Sequence, residues 1–429
     1  MFRSLKRLGV ASTLILAATA CNFDVTNPGP TDDAFLDNPE AHQAVANGSA
    51  RTLFDALNEV AYTTSAVTRE LFPAGSTSSF GISNNQQAGL LQYDDEHIID
   101  GWVSAQRSRY IGESGFDRFA ETHEGGNAGY KPGVEAALYA GYASRLLGEN
   151  WCEAAIDGSA VVSRTDVLKR AETWFTKAID AAGGTASLAA QKTAAIAGRA
   201  SVRVQLGDWT GALADAAQVP TTFVFNARYE DAQQDQFNRI YFAGADQPYR
   251  AVTAWNTPYQ AYYTATQDPR VPWSDTGLLG DASVGVVGAR VAFYRQAKFP
   301  DRGSDIRLSS GYEMRLIEAE MKLKDNDMAG AMAILNARRT ALGLAPWAPA
   351  NMTEAWTNFK RERGIELWLE GRRLGDLYRW KANATPGALG ALETPGAASS
   401  YLDASQDLCY PIPKEEREAN ANIPVTPGG

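Results

Sequence analysis

From about residue 38 onward, apolar residues recur mostly at intervals of three and four, the spacing that lines one face of a helix. In the 39–60 stretch, PEAHQAVANGSARTLFDALNEV, Pro39 sits just inside an Asn38 cap and Ala and Leu follow at helical spacing. The 133–148 and 164–182 stretches behave alike. In the second, Arg164-Thr165-Asp166 offers cap residues ahead of Val167, Ala171, Trp174, Phe175 and Ala178. These segments predict a mainly α fold.

Two later stretches share a finer pattern. Ala200 and Ala212 flank the polar turn Gly207-Asp208-Trp209, and Ala319 and Ala331 flank Asn326-Asp327-Met328. Small residues at that separation let two antiparallel helices approach closely, as in tetratricopeptide hairpins, and AETWFTKAIDAA reads as the second helix of another such unit. The units are scattered along the chain, which predicts an interrupted solenoid rather than a regular array.

Helical periodicity fades in two loop-rich insertions, about 71–95 and 221–310, and again over 381–429. In the longer insertion Tyr229, Tyr241, Tyr249, Trp255, Tyr259, Tyr262, Tyr263, Trp273 and Tyr294 crowd among Gly, Pro, Asp and Gln. The 71–95 stretch is poor in core-forming residues. On a helical scaffold, long polar and aromatic loops are where function resides.

Composition narrows the function further. With 429 residues and 45% hydrophobic content, the chain can bury a substantial core. Its formal charge of −10, with no long basic run, makes nucleic acid a poor partner. The only histidines are His42, His97 and His123; they form no Cys/His cluster and no HExxH, and the glycines at 277, 280, 285 and 288 form neither a phosphate loop nor a dinucleotide fingerprint. No cofactor is expected, and the DDEH run at 94–97 reads as solvated carboxylates rather than a cation site.

The start of the chain reads as an address. Arg3, Lys6 and Arg7 precede an apolar run from Leu8 to Ala18, which fits a secretory signal over 1–20 and is too short for a permanent span. Ala18-Thr19-Ala20-Cys21 resembles a bacterial lipobox, with Ala18 where Leu is usual. Lipid attachment at Cys21 is expected, and cleavage after Ala20 without lipid is the alternative. The polar, turn-rich 21–37 segment suits a tether. With Cys21 lipidated, Cys152 and Cys409 remain as an even pair in an oxidising compartment, and a disulfide closing a very long loop is expected; two separately buried thiols are the alternative.

One charged stretch invites a catalytic reading. On a single helix, RERGIELWLEGRRLGDLYRW (361–380) would place Glu366 and Glu370 one turn apart, the separation of a retaining glycosidase pair. Arg363 and Arg373 flank them, and Arg372 is spaced to pair with Asp376. Nearby arginines keep a carboxylate ionised, whereas a general acid must stay protonated, so the stretch reads as a helix wired to its neighbours by ion pairs.

Those same residues resemble the late helix of the SusD/RagB family, which reads approximately Ile-Glu-Leu, Glu-Gly-x-Arg, Asp-Leu-x-Arg-Trp. The matching positions are Ile365, Glu366, Leu367, Glu370, Gly371, Arg373, Asp376, Leu377, Arg379 and Trp380. YEMRLIEAEMKLKDNDMAGAMAILNARR, GRASVRVQLGDWTGALADAA, QDPR (267–270) and CYPIPKEEREANANI are similar to further segments of the family, in the same order. The resemblance implies one SusD-like domain over 38–429, with tetratricopeptide-like hairpins and an irregular ligand-binding half.

It also implies a lipid-anchored, non-enzymatic protein outside the outer membrane, which captures oligosaccharides or peptides for a SusC-type TonB-dependent transporter. Sugar capture uses flat aromatic faces against pyranose C–H groups. Trp255, Tyr259, Tyr262 and Trp273 are the candidate contacts, with Phe80 and Asn84 from the shorter insertion. The competing expectation is a tetratricopeptide-like scaffold that binds protein partners at the outer membrane and needs no aromatic platform.

Overall fold

Side-chain caps fix the starts of many helices, those beginning at Pro39, Arg164, Trp209, Pro258, Gly311, Met328 and Met352 among them, whereas the helices beginning at Ile99, Lys131, Ala189 and Arg373 start without one. The computed structural model describes residues 32–75, 81–95, 98–246 and 249–427. Helix α1 (Pro39–Val67) begins where Asn38 accepts from the Glu40 amide. After the single turn α2 (Asn84–Gln87) come α3 (Ile99–Thr122), α4 (Lys131–Asn150), α5 (Arg164–Ala182) and α6 (Ala189–Leu206). The cap of α5 lies one residue ahead of the expected trio: Ser163 accepts from the Asp166 amide.

Helix α4 packs between α3 and α5, and α1 covers α3 and α4. Close approach is bought with glycine at two positions: a Cβ on Gly141 of α4 or Gly198 of α6 would stand 2.7 or 2.4 Å from the Phe175 ring of α5. Phe175 is therefore fully enclosed between three helices.

The expected hairpins form. Helices α6 and α7 (Trp209–Ala216) turn at Gly207, whose φ of 79° needs no Cβ, and Asp208 caps α7 through the Gly211 amide. Beyond α8 (Arg239–Gly244) and α9 (Pro258–Thr266), helices α10 (Gly311–Lys324) and α11 (Met328–Ala341) repeat the arrangement, with Asp327 as the cap. Ala200, Ala212, Ala319 and Ala331 are fully buried. The hairpins are far apart in sequence but stack in space, since Met314 and Ile317 of α10 share a core with Ala197, Ala200 and Ala212.

The charged stretch is two helices, not one. Helix α12 (Met352–Glu366) stops, the chain turns with Leu369 at φ 61° and Gly371 at φ 67°, and α13 (Arg373–Ala382) follows. Glu70 fastens this turn, accepting from the Leu369 amide at 2.8 Å through its carboxylate and from Trp368 Nε1 at 2.9 Å through its carbonyl. Arg372 is not paired with Asp376. It grips Glu149 of α4 (2.9 and 3.0 Å) and Glu313 of α10 (2.8 Å), while Asp376 takes Arg363 at 2.6 Å.

The irregular half is built on short antiparallel pairs: β1 (Phe72–Pro73) with β5 (Val252–Thr253), β4 (Val224–Ala227) with β8 (Ile306–Ser310), and β6 (Trp273–Leu279) with β7 (Ala292–Gln296). A further pair, β2 (Glu153–Ala154) and β3 (Val162–Ser163), follows α4. The 71–95 insertion contributes more to the core than its composition suggests, because Leu71, Phe72, Ala74, Ile82 and Leu91 are buried. Buried Arg69 holds this region together by donating to the carbonyls of Ala66, Gln87 and Ser400 at 2.7–2.8 Å.

Near the end of the chain, before α14 (Lys414–Ala419), Cys152 and Cys409 are joined by a disulfide with Cα atoms 5.1 Å apart. Beside it Trp151 bridges to Tyr410. No described helix is long and apolar enough to cross a membrane. Cys21, its tether as far as residue 31, Phe80, Glu96 and His97 lie outside the described residues.

Candidate ligand-binding site

Helix α9 divides the expected aromatic contacts between two faces. Thr257 caps it through the Gln260 amide, Pro258 occupies its first turn, and Gln267 closes it in the left-handed region. Positions 259 and 262 turn toward α12, whereas 260 and 263 turn toward the β6–β7 hairpin.

On the hairpin side, Trp273 lies across from Tyr294. Asp275 pairs with Tyr294 in the ladder, so Trp273 is its diagonal neighbour on the same face, and the rings stack with centroids 4.7 Å apart at 22°. Tyr263 meets Trp273 edge-on at 6.1 Å, and Trp273 Nε1 donates to the Gln260 carbonyl at 3.2 Å. All three rings are half-buried, which leaves part of each at the surface beside exposed Leu278 and Leu279.

Trp255 joins this face through Gln260, whose side-chain oxygen accepts from the Asn256 amide at 2.8 Å. Its half-buried ring stands edge-on to Phe72 at 5.1 Å, and Phe72 takes Tyr401 at 5.7 Å on another edge. Exposed Asn84, from the shorter insertion, lies against Gly285. A Cβ on Gly285 would lie 2.3 Å from its Oδ1, and the neighbouring Gln87 accepts from the Gly285 amide. The structure thus groups Tyr263 and Tyr294 with Trp273, sets Trp255 against Phe72, and holds Asn84 against Gly285.

Tyr259 and Tyr262 belong elsewhere. Tyr259 is 4% exposed and stacked on Trp368 at 5.6 Å, so it is core rather than a platform. Burial raises its hydroxyl pKa well above the ordinary value. Tyr262 stacks on Trp347 at 6.4 Å; its hydroxyl donates to Asp268 and accepts from Arg339, each at 2.8 Å. With part of its ring free, Tyr262 lines a cleft of about 400 Å³ between α9, α12 and the 388–393 segment.

Beneath both faces runs the ion-pair network of α12 and α13. Arg270 binds Asp268, Glu362 and Glu366 at 2.6–2.9 Å, and Arg307 binds both Glu366 (3.1 Å) and Glu370 (2.5 Å). Burial alone would raise the Glu366 carboxyl, but Arg307, Arg270 and Arg338 outweigh it and hold it below its ordinary value. Glu366 is thus an ionised structural group, the opposite of a general acid. Among the described residues, no group of three or more His, Cys, Asp or Glu is placed to hold a metal ion.

No protein-family model and no curated protein sequence matches the chain. Solved structures do. A SusD-like protein from Bacteroides fragilis NCTC 9343 superposes with a TM-score of 0.64 at 14% identity, covering 93% of this chain and 98% of its own. A laminarin-binding SusD-like protein gives 0.60 at 15% identity, covering 90% and 99%. A structure solved with xylogluco-oligosaccharide gives 0.60 at 12% identity, covering 80% and 84%. The chain has the SusD-like fold.

Proposed function

We propose that this chain is a glycan-capture protein of the SusD/RagB family, carried at the outer membrane by lipid on Cys21, which hands oligosaccharides to a SusC-type TonB-dependent transporter. The observation that carries the reading is the half-buried Trp273–Tyr294 stack, with Tyr263 and Trp255 beside it, on the irregular half of a SusD-like fold. Flat rings whose polar tips are already satisfied, as Trp273 is by Gln260, present apolar area to sugar C–H groups without leaving an unmet donor. Exposed polar side chains, Asn84 and Asp275 among them, are available to hydroxyls. That one structural neighbour binds laminarin and another was solved with xylogluco-oligosaccharide favours glycan over peptide.

Affinity electrophoresis against laminarin and xyloglucan tests the site. Trp273→Ala and Tyr294→Ala should each weaken retention at least tenfold, the loss of about 1.4 kcal/mol expected for a central aromatic contact. If both variants are retained like the parent, the hairpin face is not the site.

A further inference from the structure

The cleft between α9 and α12 has a charge that the rest of the protein does not prepare for. The chain is net −10, yet this cleft is lined by Lys360, Arg361 and Arg373 against a single carboxylate, Glu393. Glu393 is already consumed, because Arg373 grips its Oε1 through Nε at 3.0 Å and Nη2 at 2.6 Å. Two further cationic residues therefore line the cleft without a carboxylate partner. Among the described residues, neither Lys360 nor Arg361 forms an ion pair.

Lys360 is the more telling of the two. It is 5% exposed, and its ammonium donates to the carbonyls of Thr385 at 2.9 Å and Gly387 at 2.8 Å. An ammonium carries three donors, so one is left beyond these two carbonyls, with the Trp380 ring centroid 5.4 Å away. A buried charge without an opposite charge is costly, and folds retain such groups mainly where they bind something. Burial first, then Arg373 and Arg379, pushes Lys360 down to about 8 against some relief from Glu320; it still carries its proton at neutral pH. Arg361 is exposed at the mouth, its guanidinium 5.7 Å from the Trp347 ring. Tyr262 supplies a half-buried ring on the opposite wall, and Leu389 an apolar edge.

We propose that this cleft is a subsite for acidic oligosaccharides, which receives a uronate carboxylate between Arg361 and Lys360 while the sugar ring lies against Tyr262. The inference rests on the capture reading above and names its substrate class. The cleft and the Trp273 face lie on opposite sides of the same short helix. A positive cleft on an acidic protein also selects among acidic sugars by concentrating the one charge the remaining surface repels.

The test is calorimetric titration of the folded protein with tetragalacturonate, with its carboxyl-reduced tetrasaccharide, with a laminari-oligosaccharide and with tetraglutamate. Tetragalacturonate should bind at least tenfold more tightly than its reduced form. Arg361→Ala, a surface change, should cut that preference below threefold, and Lys360→Met should do the same by a second route. Equal affinity for the charged and reduced sugars overturns the inference, as does an undiminished preference in Arg361→Ala. Tetraglutamate binding as tightly as tetragalacturonate overturns the sugar assignment. If the laminari-oligosaccharide still binds in these cases, the capture reading stands alone; if no sugar binds, both fall.

Discussion

Replacing Arg372 with Met measures how much the ion-pair network holds the helical half together. Arg372 is 5% exposed and its partners Glu149 and Glu313 are each 1% exposed, so the change removes the cation from between two buried carboxylates. Breaking a buried pair from one side costs about 3–5 kcal/mol. Two carboxylates do not double this, because each keeps a weaker partner: Glu149 has Arg145 at 4.0 Å, and Glu313 has the Ser201 hydroxyl at 2.7 Å and Arg363 at 3.8 Å. With an unfolding entropy of about 2.1 cal/mol/K per residue over 429 residues, that loss lowers Tm by about 3–6 °C. Burial opposes ionisation of Glu313, and Arg372, Arg363 and Arg145 together hold its carboxyl below the ordinary value. Its contribution is therefore fully present above the unfolded carboxylate pKa of about 4.3 and is lost as pH falls through the lower folded value. In Arg372→Met the balance tips toward burial and the folded pKa rises, so the variant's folded state takes up a proton before its unfolded state does. The gap between parent and variant, read by urea melts at pH 7, 5 and 4, should narrow steadily with acid. Adding Glu313→Gln to the variant should recover part of the loss at pH 7. A cost below 1 kcal/mol at pH 7, or a gap unchanged down to pH 4, refutes the reasoning.

Two further outcomes follow from the same structure. Reducing the Cys152–Cys409 bond, or replacing both residues with Ser, releases a link across 257 residues and should cost about 3–5 kcal/mol in a denaturant melt; a melt indifferent to reductant contradicts this. Purification of the lipidated protein from outer membranes should bring down a TonB-dependent barrel in stoichiometric amount by mass spectrometry. Recovery without a barrel would favour the scaffold alternative.

The helical half was legible because its signals are local. Asn38 is a cap in the sequence and in the fold, the turns at Asp208 and Asp327 fall between the expected helices, and the alanine pairs of the two hairpins are buried where their spacing put them. Helix α3 escaped the reading, since Gly101, Gly112 and Gly115 weaken its periodic signal. Gly112 is there for packing: a Cβ would stand 2.6 Å from the Ala136 carbonyl. The break between α12 and α13 was also hidden, because a left-handed leucine leaves no mark in a run of helix formers. In the irregular half, residue type located the aromatic region but not its faces. Tyr259 and Trp273 look alike in sequence, and only the packing of α9 onto Trp368 sends one inward. Lys360 and Arg361 drew no reading of their own in the sequence, since the cleft they line depends on the distant 388–393 segment.

The central claim is capture without catalysis. Calorimetric titration with laminarin and xyloglucan oligosaccharides, followed by chromatography of the recovered sugar after prolonged incubation, tests it directly. The account predicts saturable binding of at least one of them, weakened at least tenfold by Trp273→Ala, and recovery of sugars of unchanged length. Shortened products, or no binding to any glycan offered, would contradict it.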